Sequence, residues 1–190
     1  IPKKYHHKIF VIPPVEINQI KNKIIPISKV NSIICIGIVC PSKGYHYMIN
    51  GLSKLNREFT INFYGKINHS YKNYLKQKSS ELLNLQFHGH LKQKNLFEKI
   101  PLHDVMIFPS VSEGFPLSAI QSLARNLPVF ASVNSNLKDI LPDVCLYKTR
   151  NIDDFVLKFK QFEKQKQIEL SISQFNRKKI LKQWEEIASL

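Results

Sequence analysis

PSVSEGFPLSAIQSLARNLPVFAS, residues 109–132, reads as the end of a β-strand, a tight loop, an amphipathic helix and a second strand, with polar groups gathered at the junctions. Leu117, Ile120, Leu123, Ala124 and Leu127 recur at helical spacing. Pro116 stands where the first helical residue belongs, a position that suits its fixed φ and its missing N–H. Phe115 before it has no side-chain oxygen to cap the free amides, so the N–H groups of Leu117 and Ser118 are expected to await an outside acceptor. A phosphate suits them, because orphan amides and the helix dipole both favour negative charge. Glu113 lies just before this helix and Gln121 eight residues later, so together they would grip two ends of one elongated ligand.

Outward from this stretch, strand and helix patterns alternate. Ser32–Val39 (SIICIGIV) is a nearly continuous apolar run, which predicts a strand covered on both faces. Tyr45, Met48, Leu52 and Leu55 mark a helix, Thr60–Tyr64 a strand, Tyr71–Leu83 a polar helix, Leu85–His88 a short strand, and Gln93–Ile100 a short helix. Val105–Phe108, Val129–Ser132 and Val144–Tyr147 read as the remaining strands. Ile152, Phe155, Val156, Phe159 and Phe162 form a helical stripe, and a final helix is predicted from about Ser173 with Ile180, Trp184 and Ile187 on its apolar side. This order predicts an α/β fold: a doubly wound parallel sheet with helices on both faces and a C-terminal helix. Ligands of such sheets bind at the carboxyl ends of the strands, and Lys43, His90 and Glu113 each follow one.

Two motifs carry a family resemblance. Pro109, Ser110, Glu113, Gly114 and Phe115, with Arg125-Asn126-Leu127-Pro128-Val129 downstream, resemble the signature of retaining glycosyltransferases of the GT-B fold, family 4. Gly37-Ile38-Val39-Cys40-Pro41-Ser42-Lys43-Gly44 is similar to the family's Gly-Arg-Leu, three variable residues, Lys-Gly. Weaker matches are Tyr64-Gly65, Phe87-His88-Gly89-His90 and Asp104–Phe108. Two positions depart from the pattern: Gln121 stands where the family has a second Glu, and Ile38 where it has Arg. The resemblance implies the Rossmann-like nucleotide-sugar-binding half of such an enzyme. Its divisions are an opening segment over about 1–29, a core over 30–166 and a terminal helical segment over 167–190, the acceptor-binding N-terminal half being outside this chain.

It further implies hexosyl-type transfer from a UDP-, GDP- or ADP-sugar to an acceptor hydroxyl, with no metal or other cofactor. The acceptor would be a glycan or glycolipid held by the missing half, in the synthesis of surface polysaccharide, lipopolysaccharide or glycolipid, and the fragment alone would be inactive. Lys43 would meet the diphosphate and Glu113 would orient the donor sugar, as the catalytic pair. Gly37, Gly114, Phe115, Leu117 and Ser118 would line the donor. The backbone of Gly89, His90 and Leu91 would touch the base, and Gln121 the ribose. Plainer readings stand beside these: Lys43 as a surface lysine, His90 as a solvated loop residue, Gly114 as a turn glycine, Gln121 as helix surface. His103 and Asp104 read as the polar start of a strand.

Composition narrows the class. A chain of 190 residues suits one domain rather than two. The three cysteines, Cys35, Cys40 and Cys145, form neither a disulfide framework nor a Cys-x-x-Cys pair, which favours a reducing compartment. No apolar run is long enough to cross a bilayer. The expected setting is cytoplasmic, with peripheral contact at the inner membrane face. The net charge of +14 is spread over lysines interrupted by Gln, Asn and Glu, with no nucleic-acid motif to organise it. A solvated basic surface is the first reading, attraction to an anionic membrane the second, and nucleic acid is not expected as a partner. The alternative to an enzyme is a degenerate module that binds a nucleotide sugar, or scaffolds a partner, without turnover.

Overall fold

A computed structural model describes residues 23–170, together with Lys182 and Glu185. Its elements are β1 (Lys23–Pro26), β2 (Ser32–Ile36), α1 (Tyr45–Ser53), β3 (Phe59–Tyr64), α2 (His69–Lys78), β4 (Leu83–Gly89), α3 (Gln93–Lys99), β5 (Val105–Phe108), α4 (Leu117–Ala124), β6 (Val129–Ser132), β7 (Leu146–Tyr147), α5 (Ile152–Glu163) and β8 (Gln167–Leu170). Six strands form one parallel sheet in the order β4-β3-β2-β5-β6-β7. The chain winds outward from β2 through β3 to β4, then returns to place β5 on the other side of β2. The carboxyl ends of β2 and β5 are therefore the switch point at which open α/β sheets bind ligands.

The centre of the sheet is apolar because its strands have no polar face: Ile33 to Ile36 and Val105 to Phe108 are all buried. Against β6 and β7, Phe130 and Tyr147 stack at 5.2 Å between centroids, and Phe155, Phe159 and Phe162 of α5 pack onto Phe130 within 5.4 Å. α5 is capped by Asn151, whose side-chain oxygen accepts from the Asp154 N–H at 2.9 Å, with Asp153 and Asp154 in the first turn favouring the positive helix end. Cys35 and Cys145 are buried, and burial pushes both thiols up, Cys145 to about 12.

Several boundaries differ from the sequence expectation. The strand predicted to Val39 stops at Ile36, because Gly37 takes φ +141° and turns the chain. The helix predicted from Tyr71 starts at His69, capped by Asn68 accepting from the Tyr71 N–H, and ends at Lys78, so Leu83 opens β4 instead. Val144 falls in a 3-10 turn and leaves β7 only two residues long. The segment from 167, expected to be helical, begins with β8, which pairs antiparallel with β1. Alternation in Gln-Ile-Glu-Leu buries Ile168 and Leu170, while Ile25 is buried from the other strand. Lys182 and Glu185 are helical; Ile180, Trp184 and Ile187 of the predicted terminal helix lie outside the described residues.

At the opposite end of the sheet, the Asp104 carboxylate accepts the N–H groups of Asn31 and Ser32, both at 2.8 Å, and the His103 Nδ1 sits 2.8 Å from the Ser32 hydroxyl. Burial, reinforced by His88, lowers His103 to about 4, against an opposing pull from Asp104. A histidine held neutral by folding is protonated more readily in the unfolded chain. The unfolded state thus takes up more protons between the free value of about 6.5 and the folded one, and stability falls as pH drops through that window. Urea midpoints at pH 7 and pH 4.5 should show this loss, and His103→Gln should reduce it; an equal loss in the variant would refute the assignment.

Candidate functional site

At the switch point, the loop after β2 closes in a 3-10 turn, Pro41–Lys43, ended by Gly44 at φ +67°. A Cβ on Gly44 would lie 2.2 Å from the Pro109 carbonyl oxygen, so only glycine lets this loop touch the one after β5. The Val111 N–H, donating to the Ser42 carbonyl at 3.1 Å, fastens the contact. It brings Lys43 and Glu113 together. The Lys43 ammonium forms an ion pair with the Glu113 carboxylate, and the Ser110 hydroxyl donates to the same carboxylate oxygen at 2.6 Å. With side-chain exposures of 24% and 13%, the two charges are shielded from solvent enough to feel each other more strongly than a surface pair would. The ammonium also stands 5.9 Å from the centre of the Phe108 ring.

The loop carrying Glu113 is held from the β6 side. The Ser132 hydroxyl donates to the Ser110 carbonyl at 2.5 Å and the Asn134 amide to that of Val111 at 3.2 Å. The Asn136 amide donates to Glu113 and Gly114, at 2.5 and 3.1 Å. The sequence reading did not single out Asn134 or Asn136. The available signal was an Asn-x-Asn pair just after a strand end on the ligand-binding edge, where side-chain amides commonly hold turns.

Two expectations about the following helix are corrected. Pro116 is its N-cap rather than its first residue, with φ −84° and ψ 58°. That conformation is an inverse γ-turn, in which the Phe115 carbonyl folds back to accept the Leu117 N–H at 3.0 Å. The Leu117 amide is thus satisfied within the chain. Ser118 turns its hydroxyl towards the Ile36 carbonyl at 3.4 Å, tying α4 to the end of β2. Gly114 is not at positive φ, so the turn does not require glycine there; a Cβ on it would enter open space. Gln121 sits half-buried one helical turn beyond Leu117, its carbonyl accepting from the Arg125 guanidinium at 3.1 Å.

Beside the ion pair, a cavity of about 330 Å³ covers the carboxyl ends of β2, β3 and β4, lined among others by Gly37, Ile38, Tyr64, Lys66, His90 and Leu91. Two glycines, Gly37 and Gly65, line it: the Gly37 N–H donates to the Tyr64 carbonyl at 2.9 Å, and the Gly65 N–H to that of Gly89 at 2.8 Å. A Cβ on Gly37 would meet the Lys43 stem at 3.7 Å, so the cavity and the ion pair are contiguous. The candidate residues accordingly fall into two adjoining groups, Gly37, His90 and Leu91 lining the cavity with Gly89 bonded to its Gly65, and Lys43, Glu113, Gly114, Phe115, Leu117 and Ser118 at the loop junction. His90 is exposed at the rim, while His88 stacks on Tyr64 and bonds to Asn62 at 2.8 Å on the face of the sheet. Among the described residues, no group of three His, Cys, Asp or Glu could hold a metal ion, and no helix is long and apolar enough to cross a membrane.

The sequence model of one family, glycosyl transferases group 1, matches residues 16–179. The chain belongs to that family. Its sheet order and flanking helices are those of a GT-B glycosyltransferase C-terminal domain. No curated protein sequence matches it significantly. Among solved structures, it is similar to TarM of S. aureus, solved with UDP, at a TM-score of 0.70 and 17% identity over 94% of this chain and 39% of that one. It is similar to HepE of Anabaena, in complex with UDP and glucose, at 0.63 and 16% over 84% of this chain and 47% of that one. The C-terminal domain of LpcC from Francisella tularensis, a glycosyl transferase group 1 protein, gives 0.59 and 17%, covering 87% of each chain. This glycosyltransferase domain thus spans less than half the length of TarM and HepE and most of the isolated LpcC domain.

Proposed function

We propose that this domain binds the nucleoside-diphosphate sugar of a retaining, family 4 glycosyltransferase. The observation that carries the reading is the Lys43–Glu113 pair at the switch point, where a cation for a diphosphate and an acceptor for sugar hydroxyls adjoin a largely apolar cavity fit for a base. Lys43 meets the charge that develops on the leaving diphosphate. Glu113 accepts from the hydroxyls of the donor sugar and fixes its pose for attack. The base lies against Ile38 and Leu91, with the backbone from Gly89 to Leu91 within reach, and Gln121 serves the ribose through its amide. Lys66 lines the cavity together with Ile38 and supplies the basic group that Ile38 cannot. The acceptor, a glycan or glycolipid, is presented by the other half of the enzyme, and the basic surface suits work at an anionic inner leaflet.

Support comes from the family match and from TarM and HepE, both solved with UDP. A second reading, binding without turnover, is favoured by Ile38 and Gln121, which both depart from the family pattern. Calorimetric titration of the full-length protein with UDP, GDP and ADP, without divalent metal, tests the donor site. At least one is expected to bind at micromolar to millimolar concentration; no binding of any of them at millimolar concentration would remove the reading. Transfer by the same protein from the matching nucleotide sugar separates the enzyme from the binding module.

A further inference from the structure

Ser132, Asn134 and Asn136 alternate along the chain from the last residue of β6, and their hydrogen-bond acceptors advance in step along the loop after β5: Ser110, Val111, then Glu113 and Gly114. Asn136 takes two successive carbonyls with one amide. A trans peptide points its N–H opposite to its C=O, and the described chain has no cis bonds. Holding the carbonyls of Glu113 and Gly114 towards Asn136 therefore turns the N–H groups of Gly114 and Phe115 to the other side of the loop. Open space surrounds Gly114 where a side chain would otherwise stand.

Asn136 meets two demands at once. Its backbone is left-handed, φ +59° and ψ 33°, which asparagine tolerates better than most residues. Its side chain is a short donor, which glycine lacks and aspartate does not offer at neutral pH. A residue needed only for the turn would meet the first demand alone.

We propose that Asn136 is a positioning residue for the donor sugar, orienting the two peptide planes after Glu113 so that the Gly114 N–H faces the bound sugar. This rests on the donor-site reading above. Asn136→Gly keeps the left-handed turn and removes the donor; Asn136→Asp keeps the size and turns an acceptor towards two carbonyls. Both are made in the full-length protein and titrated with UDP, GDP and ADP and with UDP-glucose, GDP-mannose and ADP-glucose, alongside steady-state transfer and thermal melting. For Asn136→Gly, the melting temperature and the nucleoside-diphosphate affinity are expected to hold, within about twofold for the latter, while the added affinity from the sugar falls about tenfold and kcat by about 10- to 100-fold. Asn136→Asp should lose more. If nucleotide and nucleotide-sugar affinities fall together, or neither falls, the positioning role is overturned and Asn136 serves the turn alone. If the unmodified protein binds none of the three nucleoside diphosphates, the donor-site reading fails first and takes this proposal with it.

Discussion

Lys43→Ala is expected to slow glycosyl transfer in the full-length protein by roughly 10²- to 10³-fold, the usual cost of removing one preorganised charge partner from a transition state. Glu113 and the Phe108 ring place the ammonium beside the cavity. Its partner should behave differently. Glu113→Gln removes a negative charge from beside the proposed diphosphate site and frees Lys43 from a competitor, so the affinity for a bare nucleoside diphosphate should hold or rise. Transfer should still fall about 10²-fold, because the donor sugar would lose the group proposed to fix its pose. Steady-state transfer and calorimetric nucleotide affinity, measured on both variants, separate the two roles. Transfer by Lys43→Ala at the unmodified rate would discard the diphosphate role, and loss of nucleotide affinity in Glu113→Gln would discard the competition.

Gly65→Ala should destabilise the domain by more than about 4 kcal/mol, in the range reserved for a named structural fault. Gly65 takes φ +147°, and a Cβ on it would lie 2.0 Å from the Gly37 carbonyl oxygen and 2.6 Å from its carbon. Both obstacles are backbone. Neither strand can yield readily, since the Gly37 N–H is bonded to Tyr64 and the Gly65 N–H to Gly89 across the carboxyl ends of β2, β3 and β4. Gly89→Ala is the control: φ is +74° there, but a Cβ meets nothing within 4 Å, so only backbone strain of about 1–2 kcal/mol remains. Urea unfolding of the two variants gives the comparison, and equal losses would show that the close approach of β2 and β3 is not rigid.

The parallel sheet was legible because its strands announce themselves: Ser32–Ile36 and Val105–Phe108 have no polar face, and Phe155, Phe159 and Phe162 keep helical spacing. The meeting of Lys43 and Glu113 was legible through topology, since both follow strands that end at the switch point. What escaped depends on dihedral angles and on partners remote in sequence. Pro116 was given to the helix from its usual preference, yet its ψ of 58° sends the Phe115 carbonyl back to Leu117. β1 and β8 are four-residue strands near opposite ends of the described chain, each too short to be recognised without the other. Asn136 reaches across from another loop, and nothing in Asn-Ser-Asn names Glu113 and Gly114 as its acceptors.

The β1–β8 ribbon also has a mechanical consequence. Lys23 pairs with Leu170, and the antiparallel pairs run from there inward to Pro26 and Gln167. A pull applied between Lys23 and Leu170 loads the pairs one after another, like a zip, whereas the parallel sheet behind them is loaded only after the ribbon has opened. Tension between Lys23 and Leu170 is thus spent first on the four residues of each strand.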